Sequence, residues 1–137
     1  MRREARLWIE AAKEDLFDAS EALRRGRWFR VAFFSQQAVE KALKALFFVV
    51  RREEPPHVHT VTELYRSLKE AGFVLPRELE EQLYMLNKYY TVTRYPDAAN
   101  GLPSEAVDKI EAERAYGLAV EVVRIVEDHL ARSRGSG

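Results

Sequence analysis

The segment Tyr90-Thr-Val-Thr-Arg94-Tyr95-Pro96-Asp97 holds residue types suited to chemistry on a phosphorylated ligand. A guanidinium such as that of Arg94 can grip a phosphate through two parallel hydrogen bonds. Tyr90 and Tyr95 offer flat faces for a base and hydroxyls for its polar edge. Upstream, Gln37, Lys41 and Lys44 recur at spacings of four and three, which on a helix makes one polar stripe that could face the same cleft. Lys44 by itself reads as a solvated position on that stripe. The same residues also admit a purely structural arrangement. In it Arg94 pairs with Asp97 or Glu40, the tyrosines pack a helix end and Pro96 fixes the turn.

Two other groupings carry less. His57 and His59 have His-x-His spacing beside Glu53, Glu54 and Glu63, but two imidazoles in a proline-rich loop bring no third or fourth ligand, so no metal site is expected. Arg124 and His129 are five residues apart, an advance of about 500° that leaves the side chains roughly 140° apart on a helix. They read as an exposed arginine and a histidine stabilised by the negative end of the helix dipole. Glycine-rich phosphate loops, nucleophile elbows and His-Glu-x-x-His signatures do not occur, and neither does the Gly-Ser turn with paired acidic residues of a nucleotidyl-transfer site. With no cysteine, thiolate nucleophiles, disulfides and Cys-ligated metals are excluded. No catalytic residue, metal or cofactor is therefore assigned.

These residues must be positioned by helices, because the apolar positions recur at three and four rather than at two. A first helix is expected over about Arg3 to Arg25, ended by Gly26, with Ala5, Trp8, Ile9, Ala12, Leu16, Ala19 and Leu23 on its inner stripe. The second, from about Trp28 to Arg51, is apolar around most of its circumference and must be covered on more than one side. Pro55 and Pro56 break the chain. A third helix then starts at Thr60, which has capping-box spacing to Glu63. The fourth runs from Pro76 to about Tyr90. After a loop over Thr91 to Pro103, Ser104 is placed to cap a fifth over Glu105 to Ala131, with Ala106, Ile110, Ala115, Leu118, Val122, Ile125 and Val126 turned inward.

The expected fold is all-α, an antiparallel up-and-down bundle of about five helices, with one domain over residues 1–132 and a disordered Ser/Gly tail at 133–137. Surplus apolar surface on the second helix, including Phe33, Phe34, Phe47 and Phe48, predicts a homodimer with some of these rings across a two-fold axis. The 22 basic and 22 acidic side chains cancel, so contact with nucleic acid would need a local patch. The charged N-terminus and the polar residues between Val31 and Val50 argue against a membrane anchor, and a cytoplasmic location is expected.

The run Phe33-Phe34-Ser-Gln-Gln-Ala-Val-Glu-Lys-Ala-Leu-Lys-Ala45, then His59 opening a short helix, then Tyr90-x-x-x-Arg94-Tyr95-Pro96-Asp97 resembles the HEPN domain family. The resemblance spans about Ala11 to Leu130 and is nearest to small prokaryotic HEPN proteins paired with a minimal nucleotidyltransferase. It implies a bundle, usually dimeric, with one of two roles. One is metal-independent RNA cleavage, often as a toxin. The other is non-catalytic binding of nucleotide or RNA beside a nucleotidyltransferase.

Cleavage in the family uses an Arg followed four to six residues later by His, the His moving a ribose proton and the Arg holding the phosphate. Arg94 matches the Arg position, but residues 95–101 contain no His. The resemblance thus implies a non-catalytic or degenerate member, with a ligand site of Arg94, Tyr90, Tyr95, Asp97, Gln37, Lys41 and His59. His59 either anchors its loop against the second helix or, by the same resemblance, points toward the Arg94 cleft. The alternative it implies is a ribonuclease toxin neutralised by the partner, through modification of a tyrosine such as Tyr95.

Overall fold

The computed structural model describes residues 2–58, 60–92 and 101–136. Its elements are α1 (Arg3–Arg24), α2 (Trp28–Leu46) running into a π-helical turn (Phe47–Arg51), α3 (Val61–Glu70), α4 (Arg77–Leu83), a 3-10 turn (Tyr84–Leu86), α5 (Asn87–Val92), a second 3-10 turn (Pro103–Glu105) and α6 (Lys109–Ser136). No strand occurs among the described residues. Because α4, the 3-10 turn and α5 follow one another without a break, the architecture is the expected five-part helical bundle.

α2 is the central rod and packs against α1, α3, α5 and α6, which is why its apolar residues surround it. Alanines line much of the contact: Ala5, Ala12 and Ala19 on α1, Ala38, Ala42 and Ala45 on α2, Ala112, Ala115 and Ala119 on α6, all buried. Small side chains let helix axes approach at the short end of the usual range, so backbone and neighbouring Leu and Val atoms fill the core densely. Larger groups, among them Leu43, Leu46, Phe47, Leu64, Leu83 and Leu130, close it above and below.

Helix ends depart from sequence expectation in instructive ways. Thr60 precedes α3 as expected, yet no capping box forms: Thr60 Oγ1 is buried without a hydrogen bond and Glu63 is exposed. The cap comes from elsewhere in the chain. Asn87 Oδ1 accepts the Thr62 N–H at 3.2 Å, and the Asn87 amide donates to the Thr62 hydroxyl. That link sits where the fourth expected helix narrows to a 3-10 turn, so the segment is not one uniform α-helix. Likewise the last helix starts at Lys109 and not at Glu105. Glu105 closes a 3-10 turn through its N–H to Leu102 O and its carboxylate to Leu102 N–H. Asp108 Oδ1, not Ser104, accepts an α6 end N–H, that of Glu111 at 2.8 Å.

One burial expectation is also corrected. Ile110 is 60% exposed, because it lies two residues, about 200° around the helix, from Ala112, which faces the core. Phe47 and Phe48 are buried within the protomer, since the π-helical turn swings them onto the bundle, while Phe33 and Phe34 remain half-buried as an edge-to-face pair. The turn ends at Arg52, whose φ of 55° puts an ordinary side chain in the left-handed region where glycine is the usual occupant.

Candidate functional site

Six side chains of α2, those of Phe33, Gln36, Gln37, Glu40, Lys41 and Lys44, fall within an arc of roughly 140° on a regular helix. The arc is more buried than its polarity suggests. Gln36, Glu40 and Lys44 are all buried, so the solvated position expected for Lys44 is wrong. Burial is tolerable because the three are linked at successive turns. Gln36 Nε2 donates to Glu40 Oε1 at 3.3 Å and Lys44 Nζ to Glu40 Oε2 at 3.1 Å. A buried carboxylate thus holds an amide on one side and an ammonium on the other.

α1 supplies the opposite wall. Trp8 places its indole face 5.4 Å from Lys44 Nζ, a cation–π contact strengthened by the scarcity of water around it. Further along, Lys41 Nζ meets Asp15 Oδ2 at 2.9 Å. Asp15 is buried, and desolvation pushes its carboxyl above the ordinary aspartate range even though Lys41 pulls the other way. Asp15 falls between Ala12 and Ala19 on the inner stripe of α1. A charge at a stripe position is the signal that could have marked it, and a cation across the interface is what it needs.

α5 packs against α2 and carries the half-buried Tyr90 next in sequence to the buried Tyr89. The buried Tyr89 hydroxyl donates to Glu111 Oε2 at 2.8 Å, and Lys88 Nζ reaches the same oxygen at 3.1 Å. Burial first and Glu111 second drive the Tyr89 hydroxyl well above the ordinary tyrosine range, which keeps it protonated and fastens α5 to the start of α6.

Of the residues singled out from the sequence, Gln37 and Lys41 therefore lie together on the α2 arc, and Tyr90 lies on a helix packed against α2. Arg94, Tyr95, Asp97 and His59 lie outside the described residues. Residues that sequence reasoning missed are Gln36, Glu40, Trp8 and Asp15. His57 is exposed and lines a cleft with Trp8 and Lys44. Among the described residues no three acidic or histidine side chains gather closely enough to hold a metal. Arg124 is exposed and pairs with Glu121 at 2.8 Å and Asp128 at 3.4 Å. His129 is half-buried edge-on against Phe73, and burial first, then Arg132, lower its pKa. The dipole stabilisation expected for it fails because α6 continues well beyond it.

No helix of the described residues is long and apolar enough to cross a membrane. The sequence matches the HEPN domain profile over residues 5–129. A Methanocaldococcus jannaschii protein named "Putative toxin MJ1304" is 27% identical over 144 residues, covering 96% of this chain and 91% of that protein. The crystal structure of TT1696 from Thermus thermophilus superposes with a TM-score of 0.82 at 35% identity, covering 93% of this chain and 98% of the other. That of a HEPN domain protein from Thermotoga maritima gives a TM-score of 0.70 at 30% identity, with 91% and 98% covered. A central polar-lined helix in an all-helical bundle, a profile match across nearly the whole chain and these two superpositions lead to one conclusion: the chain belongs to the HEPN domain family.

Proposed function

We propose that this HEPN protein binds a nucleotide or a short RNA segment without cleaving it, and acts beside a minimal nucleotidyltransferase in a toxin–antitoxin or stress-response pair. The observation that carries the reading is the linked row Gln36, Glu40 and Lys44, buried along α2 with Gln37 and Lys41 beside it. A polar row inside a core is costly unless it serves recognition or specificity, and α5, which leads in sequence to Arg94, packs on the same rod. In this reading Arg94 grips phosphate, Tyr90 and Tyr95 stack and hydrogen-bond the base, and Asp97, Gln37, Lys41 and His59 complete the site. The protein acts as a homodimer, with Phe33 and Phe34 of α2 at the two-fold contact. The absence of His from residues 95–101 supports binding over cleavage.

The test is a titration of fluorescent ATP and of a short single-stranded RNA against wild type and Arg94→Ala. Loss of at least tenfold in affinity is expected, and unchanged binding removes the site. A monomer mass by light scattering at micromolar protein removes the homodimer.

The Methanocaldococcus jannaschii relative is named a toxin, which favours a second reading, and the family resemblance makes that toxin a ribonuclease held in check by a partner. Expression of the chain alone discriminates. Growth arrest with RNA fragmentation supports the toxin, and normal growth with intact RNA supports the binding module.

A further inference from the structure

A cleft of about 380 Å³ opens between the first turns of α1, the C-terminal end of α2 and the loop at Glu54 to His57. Its volume falls within the range of roughly 300–1,000 Å³ usual for small-ligand sites. Trp8, Phe48 and Pro55 give it flat apolar walls, Lys44 lies at its floor, and Glu4 and Glu54 stand at the mouth.

The floor and the mouth together select a ligand. Lys44 is only 6% exposed and carries three N–H donors, yet its one hydrogen bond among the described residues goes to Glu40, and the Trp8 ring takes a second direction. A donor withdrawn from water and facing an apolar cleft calls for an acceptor. Glu40 already balances the Lys44 charge, and the mouth carries two carboxylates with Arg2 beside Glu4 at 3.3 Å, so an anion is poorly matched. Glu54 forms no ion pair among the described residues and can accept hydrogen bonds from a ligand. A flat, neutral ring bearing a carbonyl acceptor and N–H donors suits these residues, and guanine is the common nucleobase that sets one carbonyl beside two N–H groups.

We infer that this cleft is a guanine-binding site, with the base sandwiched against Trp8, its carbonyl oxygen on Lys44 and its N–H groups toward Glu54. The ligand class rests on the nucleotide-binding reading above, and Lys44 belongs to the α2 row that supports it, but the described residues lining this cleft do not include Arg94, Tyr90 or Tyr95, so the two can fail separately.

Guanosine and adenosine, which lack phosphate, are titrated by calorimetry, with Trp8 fluorescence followed in a Trp28→Phe background to locate the site. Guanosine is expected to bind saturably, quench Trp8 and bind at least tenfold more tightly than adenosine. Glu54→Gln, a change at an exposed position, should lower guanosine affinity about fivefold. Leu7→Tyr, at a position 55% exposed at the cleft, should abolish quenching without affecting folding. Arg94→Ala should leave guanosine binding unchanged while weakening nucleotides, which separates failure of this site from failure of the phosphate site. Equal binding of the two nucleosides, no saturable quenching, or binding that survives both Glu54→Gln and Leu7→Tyr overturns the assignment.

Discussion

Lys44 Nζ lies 3.1 Å from Glu40 Oε2, one turn along the same helix, with both side chains more than nine-tenths withdrawn from solvent. An exposed pair at this spacing contributes a few tenths of a kcal/mol. A buried one is held by the cost of leaving either charge alone. Lys44→Met is therefore expected to destabilise the protein by about 3–5 kcal/mol, because it removes a buried ammonium that is ion-paired with the buried Glu40 carboxylate. The double variant Glu40→Leu/Lys44→Met should recover most of that loss, and denaturant melts of wild type, the two single variants and the double give the coupling. Additive single-variant losses would show that the two groups do not act as a pair.

Asp15 makes the opposite prediction although it too is in an ion pair. Burial raises its carboxyl pKa, so the folded state holds the proton more tightly than the unfolded state, and this group's contribution falls as pH rises above the ordinary aspartate value. Asp15→Asn removes that penalty along with the Lys41 contact, and Lys41 is exposed enough to be hydrated. The variant should be within about 1 kcal/mol of wild type at pH 7 and should flatten the decline between pH 4 and 7. Thermal melts across that range decide, and a large loss at pH 7 would mean the pair outweighs the desolvation.

Tyr65 ties the turn after α3 to α4. Its hydroxyl donates to Glu80 at 2.6 Å and accepts the buried Leu75 N–H at 3.0 Å, and burial, then Glu80, push its pKa up to about 12. A raised tyrosine pKa means stability that is complete below about 10 and lost as pH climbs toward 12. Tyr65→Phe should cost about 1–3 kcal/mol at pH 7, from the stranded N–H, and should weaken the alkaline decline. Urea melts at pH 7 and pH 11 measure both.

Caps give a paired test. Asp108→Ala should lower stability by about 1 kcal/mol, whereas Ser104→Ala should leave it unchanged, because among the described residues Asp108 and not Ser104 holds an α6 N–H. Similar losses in the two variants would place the start of the last helix where the sequence alone puts it.

The apolar spacing was enough by itself to determine five helical segments, the central place of the second and most of the inner faces, since a period near 3.6 leaves one way to bury each stripe. The Gln-Gln-Ala-Val-Glu-Lys run, His59 and the Arg94-Tyr95-Pro96-Asp97 run carried the resemblance to the family that the profile match then showed. What only the tertiary structure decided are the partnerships between residues far apart in the chain. Asn87 takes the place of the Thr60 hydroxyl at the cap of α3, Trp8 meets Lys44, Asp15 meets Lys41, and Tyr89 meets Glu111. Local sequence cannot state these because a polar side chain on a helix is solvated or buried according to what the neighbouring helix sets against it. The same packing turned Lys44 from an expected surface residue into the floor of a cleft, since α1 covers that side of α2 with an indole where the sequence alone suggests water.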